Sequence, residues 1–157
     1  MCSPNYKNYK EKIMTEEFLK LREKAERGDA EAQGNLSYCY FMGEGTRKNY
    51  REAFNWGLKS AKQGIAEAQT AVAALYEGGI GVEKNLKEAF KWYKKAAEQG
   101  DADAQYNVGR CYALGEGIKE NIKEAFAWFT KAGENGNSDA KKMLKEYFNK
   151  DGSIKES

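Results

Sequence analysis

Ser138-Asp-Ala-Lys141 sets a serine three residues ahead of a lysine, the spacing of nucleophile and amine in penicillin-interacting enzymes. The chemistry would be serine-dependent hydrolysis of a β-lactam or cell-wall compound. Neither K-T-G nor S-D-N accompanies the motif, lysine is frequent throughout the chain, and the motif falls where a helix should start, so it reads as part of a helix cap. Asp101 and Asp103 offer a second chemistry, the carboxylate pair of a glycosidase. That pair needs a deep cleft, whereas carboxylates at a helix N-terminus are favourable on electrostatic grounds alone. A third possibility is phosphate binding by Gly79-Ile-Gly81, which precedes the amphipathic run "VEKNLKEAFKWYKKAAEQG". No third glycine completes a dinucleotide fingerprint, and no Lys-Ser or Lys-Thr follows as in a P-loop.

Composition narrows the chemistry further. Among 157 residues there is no histidine, which removes the commonest general base and metal ligand together. No metal or cofactor is expected. A formal net charge of +2 makes no bulk case for nucleic acid or an anionic membrane, and no apolar run is long enough to span a bilayer. The polar N-terminus "MCSPNYKNYKEKIM" lacks the apolar core of a secretory signal, so a cytoplasmic location is expected. Cys39 and Cys111 occupy equivalent places two repeats apart, too far for a disulfide, and are read as small buried hydrophobes.

The glycine pair recurs, and its recurrence reveals the architecture. Gly43/Gly45, Gly79/Gly81 and Gly115/Gly117 are each 36 residues apart. In register with them run Ala32, Ala68, Ala104 and Ala140; Tyr40, Tyr76, Tyr112 and Phe148; and Trp56, Trp92 and Trp128. Each unit predicts two helices. Ala68, Val72, Leu75 and Tyr76 form one apolar helical stripe, and Ala89, Phe90, Trp92, Tyr93, Ala96 and Ala97 form the next. Asn49, Asn85 and Asn121, each three residues before a glutamate, predict capping boxes on the second helices. Asp29, Asp101 and Asn137 can cap the first helices and Ile65 cannot. The glycine pair therefore follows a helix and is a turn between helices. "TEEFLKLREKAERG" and "NSDAKKMLKEYF" read as half units closing the two ends, with Lys141 standing where the complete units carry glutamine.

The segment "GDADAQYNVGRCYALGEGIKENIKEAFAWFTKAG" resembles a Sel1-like repeat, a relative of the tetratricopeptide repeat, and the resemblance spans roughly residues 25–148. It implies an all-α, right-handed α-solenoid of antiparallel helix pairs. The divisions are a polar, disordered tail (1–14), an N-terminal half unit (15–27), repeats 28–63, 64–99 and 100–135, a C-terminal half unit (136–149) and a tail (150–157). The resemblance also implies an adaptor that binds a partner protein or peptide and has no catalytic activity. Cysteine-rich members described as β-lactamase-like bridge two helices of one repeat; no cysteine lies on a second helix here, which disfavours that subclass.

Packing positions must recur, whereas positions facing a specific partner are free to differ. Beside the core stripe of the first helices, which line the concave face in this class, runs a second stripe of Glu31, Tyr38, Phe41, Met42, Thr70, Glu77, Asp103, Tyr106, Arg110 and Leu114, which differs from unit to unit except at the acidic position of Glu31 and Asp103. These are the candidate partner-binding residues, with Tyr38, Tyr106 and Arg110 expected to be exposed. For Phe41 and Met42 a second reading has them packing on the leading helix around Phe18. The lysines 87, 91, 94 and 95 read as a solvated face and the recurring tryptophans as core. The alternatives to an adaptor are a hydrolase using Ser138 and a structural element that self-associates through its ends; a monomer or weak self-association is expected.

Overall fold

The computed structural model describes residues 14–155. The tail expected at 1–14 lies outside them except for Met14. Among the described residues eight helices follow in order: α1 (Glu16–Glu26), α2 (Ala30–Met42), α3 (Tyr50–Lys62), α4 (Ala66–Gly78), α5 (Leu86–Glu98), α6 (Ala102–Leu114), α7 (Ile122–Glu134) and α8 (Ser138–Tyr147). Each packs on its chain neighbours, giving the expected all-α solenoid of three helix pairs between two single helices. No described helix is long and apolar enough to cross a membrane.

The helix starts follow the cap residues. Asn49, Asn85 and Asn121 accept from the amides of Glu52, Glu88 and Glu124 at 3.1 Å. The reciprocal half of the predicted capping box is replaced. The Asn49, Asn85 and Asn121 amides donate to the carbonyls of Tyr40, Tyr76 and Tyr112 instead, tying each second helix to the first across the loop. Glu88 is released and pairs with Lys91. Ile65 makes no side-chain cap; it packs against the central core cluster, so α4 exchanges a cap for apolar burial.

Three contacts repeat at the seams between units. Phe18–Tyr40, Phe54–Tyr76 and Phe90–Tyr112 meet edge to face with centroids 5.0–5.4 Å apart. Buried Gln33, Gln69 and Gln105 donate to the carbonyls of Ala25, Ala61 and Ala97, each at 3.1 Å. The glycine pair makes the third contact. Its first member ends a first helix in the left-handed conformation, with φ of 80°, 64° and 69° at Gly43, Gly79 and Gly115. Its second member, Gly81 or Gly117, presses on the first carbonyl of the preceding second helix, Tyr50 or Leu86. A phosphate has no room at that point of contact.

The C-terminal end differs from the expected tail. Phe148 and Ile154 form an antiparallel bridge. Asn149 donates to the Ser153 carbonyl and Lys155 to that of Tyr147, at 2.8 and 2.9 Å. Residues 148–155 thus double back as a short hairpin, with Phe148 stacked on Phe126 at 5.4 Å and Gly152 against the same ring. An apolar ring with nothing beyond it supplies the driving force for that return.

The seam contact yields a paired prediction. Gly64 and Gly81 both have positive φ, but a Cβ meets nothing at Gly64 and overlaps a backbone carbonyl at Gly81. Urea denaturation should show Gly64→Ala costing about 1 kcal/mol, the left-handed penalty alone, and Gly81→Ala clearly more than about 2 kcal/mol. Equal losses would show that the loop relaxes away from α3.

Candidate functional site

The non-repeating residues do not form one stripe. They divide between a filled seam and an open one. At the seam of α4 and α6, Tyr93 on α5 donates its hydroxyl to Glu77 Oε2 at 2.8 Å, and Arg110 on α6 donates to Glu77 Oε1. Arg110 also reaches Glu116 at 3.6 Å. One unit earlier, the positions of Tyr93, Glu77 and Arg110 are held by Gly57, Phe41 and Ala74. With the large polar side chains gone, a trough opens between α2 and α4.

The trough has two connected parts that share Gly34, Ser37, Tyr38 and Ala71. The part near the helix starts, about 450 Å³, is bordered by Glu31, Asn35, Ile65 and Glu67. The part near the helix ends, about 320 Å³, is lined by Phe41, Met42, Ala74, Leu75 and Ile80. Tyr38 and Met42, 54% and 47% exposed, stand one helical turn apart on the same wall. The floor stays open because Gly57 cannot be enlarged cheaply: a Cβ there meets Ser37 Oγ at 2.9 Å, and that hydroxyl already donates to the Ala53 carbonyl at 2.6 Å.

Of the ten candidate residues, Glu31, Tyr38, Phe41 and Met42 come together at this trough. Phe41 lies tilted on Tyr50 at 5.3 Å, so the alternative packing around Phe18 does not occur; Phe18 meets Tyr40 instead. Glu77 and Arg110 are consumed in the filled seam. Arg110 is half-buried between two carboxylates rather than exposed. Tyr106 is half-buried on Phe129 at 5.6 Å, beside Gly109, which is small enough to admit that ring. Asp103 accepts from Asn137 at 2.7 Å and fastens α6 to the start of α8. Thr70 is half-buried with a hydroxyl that has no hydrogen-bond partner, and Leu114 is 60% exposed at the end of α6. Sequence reasoning missed Ser37, Gly57, Ile65, Ala71 and Ile80. The available signal was Gly57, which departs from Tyr93 and Phe129 at its position and reads from sequence only as looser packing.

The remaining motifs have structural roles. Asn137, not Ser138, caps α8, accepting from the Ala140 amide at 2.8 Å, and Asp101 caps α6, accepting from Ala104 at 2.6 Å. Lys59, Lys95 and Lys131 lie over Trp56, Trp92 and Trp128 at 4.0, 4.5 and 4.9 Å, covering the rings that nucleobase stacking would need. Cys111 is buried, and that burial pushes its thiol up to about 11; Cys39 is half-buried.

The filled seam gives a pH prediction. Burial acts to raise the Glu77 carboxyl, but the hydrogen bonds from Arg110 and Tyr93 and the Arg110 charge outweigh it and hold the group below its ordinary 4.5. Folding therefore lowers this value, so the contribution is complete above pH 4.5 and fades as acidification passes through the lowered value. Glu77→Gln should flatten the acid limb of stability against pH, read from denaturation midpoints. An acid limb identical to wild type would show that this carboxylate has no linkage to folding.

Comparison with known proteins agrees with this geometry. The family model described as Sel1 repeat matches residues 30–65, 66–101 and 102–137, each window holding one first and one second helix. The chain is similar in structure to a Sel1 repeat protein from Oxalobacter formigenes, with TM-score 0.77 and 36% identity over 85% of this chain and 100% of that one. It is also similar to a protective antigen present in uropathogenic Escherichia coli strains that displays an SLR fold, with TM-score 0.81 and 38% identity. That match covers 87% of this chain but only 30% of the longer antigen. Helicobacter pylori cysteine rich protein B shares the fold at 23% identity and TM-score 0.66, covering 82% of this chain and 95% of that one. No curated protein matches the chain. The chain belongs to the Sel1 repeat family, whose members generally serve as protein-interaction scaffolds.

Proposed function

We propose that the chain is a non-catalytic adaptor that holds a partner protein in the trough between α2 and α4. One observation carries the reading. Gly57 and Ala74 leave open at one seam the space that Tyr93 and Arg110 occupy at the next, and the walls so exposed bear Tyr38, Phe41 and Met42. A stack that needed only to fold could fill both seams alike, since a large exposed apolar wall brings no stability by itself. Tyrosine and methionine suit the wall of a binding trough, one rigid and amphipathic, the other adaptable. Membership of the Sel1 repeat family supports the adaptor reading, and a cytoplasmic location is part of the same proposal.

The test compares three immobilised proteins in native lysate: wild type, Ala74→Tyr, which fills the trough from an exposed helical position, and Leu114→Ala, which lies elsewhere. A protein retained by wild type and Leu114→Ala but lost from Ala74→Tyr is the expected result. Equal retention by all three would remove the partner from the trough. Retention by none, with light-scattering mass rising with concentration, would favour the self-associating alternative.

A further inference from the structure

The charge around the trough says what its occupant must carry. Glu31 and Glu67 border the part near the helix starts, no lysine or arginine lines either part, and neither carboxylate takes part in an ion pair among the described residues. The other part is apolar, with Tyr38, Phe41, Met42 and Ile80 around it. One trough thus offers two carboxylates without an ion-pair partner at one end and an apolar receptacle at the other. Glu31 and Tyr38 are two helical turns apart on α2, a separation of about 10 Å. An extended peptide covers that distance in about three residues.

We infer that the occupant is an extended segment of a partner protein that places a lysine or arginine between Glu31 and Glu67 and a large apolar side chain, about three residues away, against Tyr38, Met42 and Ile80. This rests on the trough being the partner site. The cation supplies the ion-pair partner that both carboxylates lack, and its desolvation is offset by meeting two of them. The apolar side chain supplies the buried anchor. Segments with acidic residues near the anchor are rejected by the same pair of carboxylates.

The experiment is selection of a phage-displayed random 12-residue peptide library on the full chain, followed by fluorescence polarisation of the enriched peptides. The expected peptides pair a large apolar residue with lysine or arginine about three positions away. Ala74→Tyr should weaken them about tenfold or more, and Glu31→Lys/Glu67→Lys should do likewise. The decisive arm replaces the peptide cation with glutamate. That peptide should fail on wild type and bind the double-lysine variant, a rescue that a misfolded variant cannot give. Peptides lost in Ala74→Tyr but indifferent to the double-lysine change would overturn the charge inference and leave the trough as the site. Peptides indifferent to Ala74→Tyr, or no enrichment over an unrelated target, would overturn both. A dimer of the chain that sediments as such and is abolished by Ala74→Tyr would make the occupant a second copy and refute the proposal.

Discussion

The stack is pinned together by three buried amides. Gln33, Gln69 and Gln105 each donate to a carbonyl in the last turn of the preceding unit's second helix, where helical carbonyls run out of intrahelical partners. Each also accepts a hydrogen bond, from Gln63, Gln99 and Asn135 at 2.8–2.9 Å. One side chain thereby satisfies groups on two other helices and fixes how far apart and at what height they sit. Because a buried polar atom left unpaired costs more than the bond itself contributes, the arrangement tolerates little sliding. The small residues around it follow from the same constraint, since Ala25, Ala61 and Ala97 must let the amide approach their carbonyls. At the last half unit Lys141 takes the glutamine position and the series stops.

Within so regular a frame, individuality arises from what is placed beside the core stripe. Each unit solves the space between its two helices differently. The first uses Ser37 with Gly57, the second Ala73 with Tyr93, and the third Gly109 with Phe129. In the third a small residue admits a large ring, and in the second the ring's hydroxyl is satisfied by Glu77. Only in the first pair are both members small, and the volume not used there is the trough. Its walls are rigid helices, so its shape is held before any partner arrives.

The recurring part of this structure was legible because every repeat states it again. Gly-x-Gly, the asparagine caps, the recurring tyrosines and the end helices are each visible as residue types at fixed spacing. The trough was hardly legible, because it is made of missing atoms on separate helices. Gly57 and Ala74 do not announce a cavity; they do so only against Tyr93 and Arg110 one unit later. Arg110 shows the opposite difficulty. It is an attractive binding residue in isolation, yet Glu77, distant in sequence, takes its guanidinium. The C-terminal hairpin escaped notice because "NKDGSIKES" carries no periodicity, and its fold depends on the Phe126 ring at the end of the stack.

That hairpin decides what the last helix pair presents at its surface. A solenoid is in principle an open polymer, since each unit presents to the next the surface it accepted from the last. Here Gly152 lies against the ring of Phe126 on α7, and Phe148 meets the same ring from the start of the hairpin. The same few residues that fold back on the ring therefore act as a built-in cover, keeping an apolar face of the last helix pair from water with the chain's own atoms.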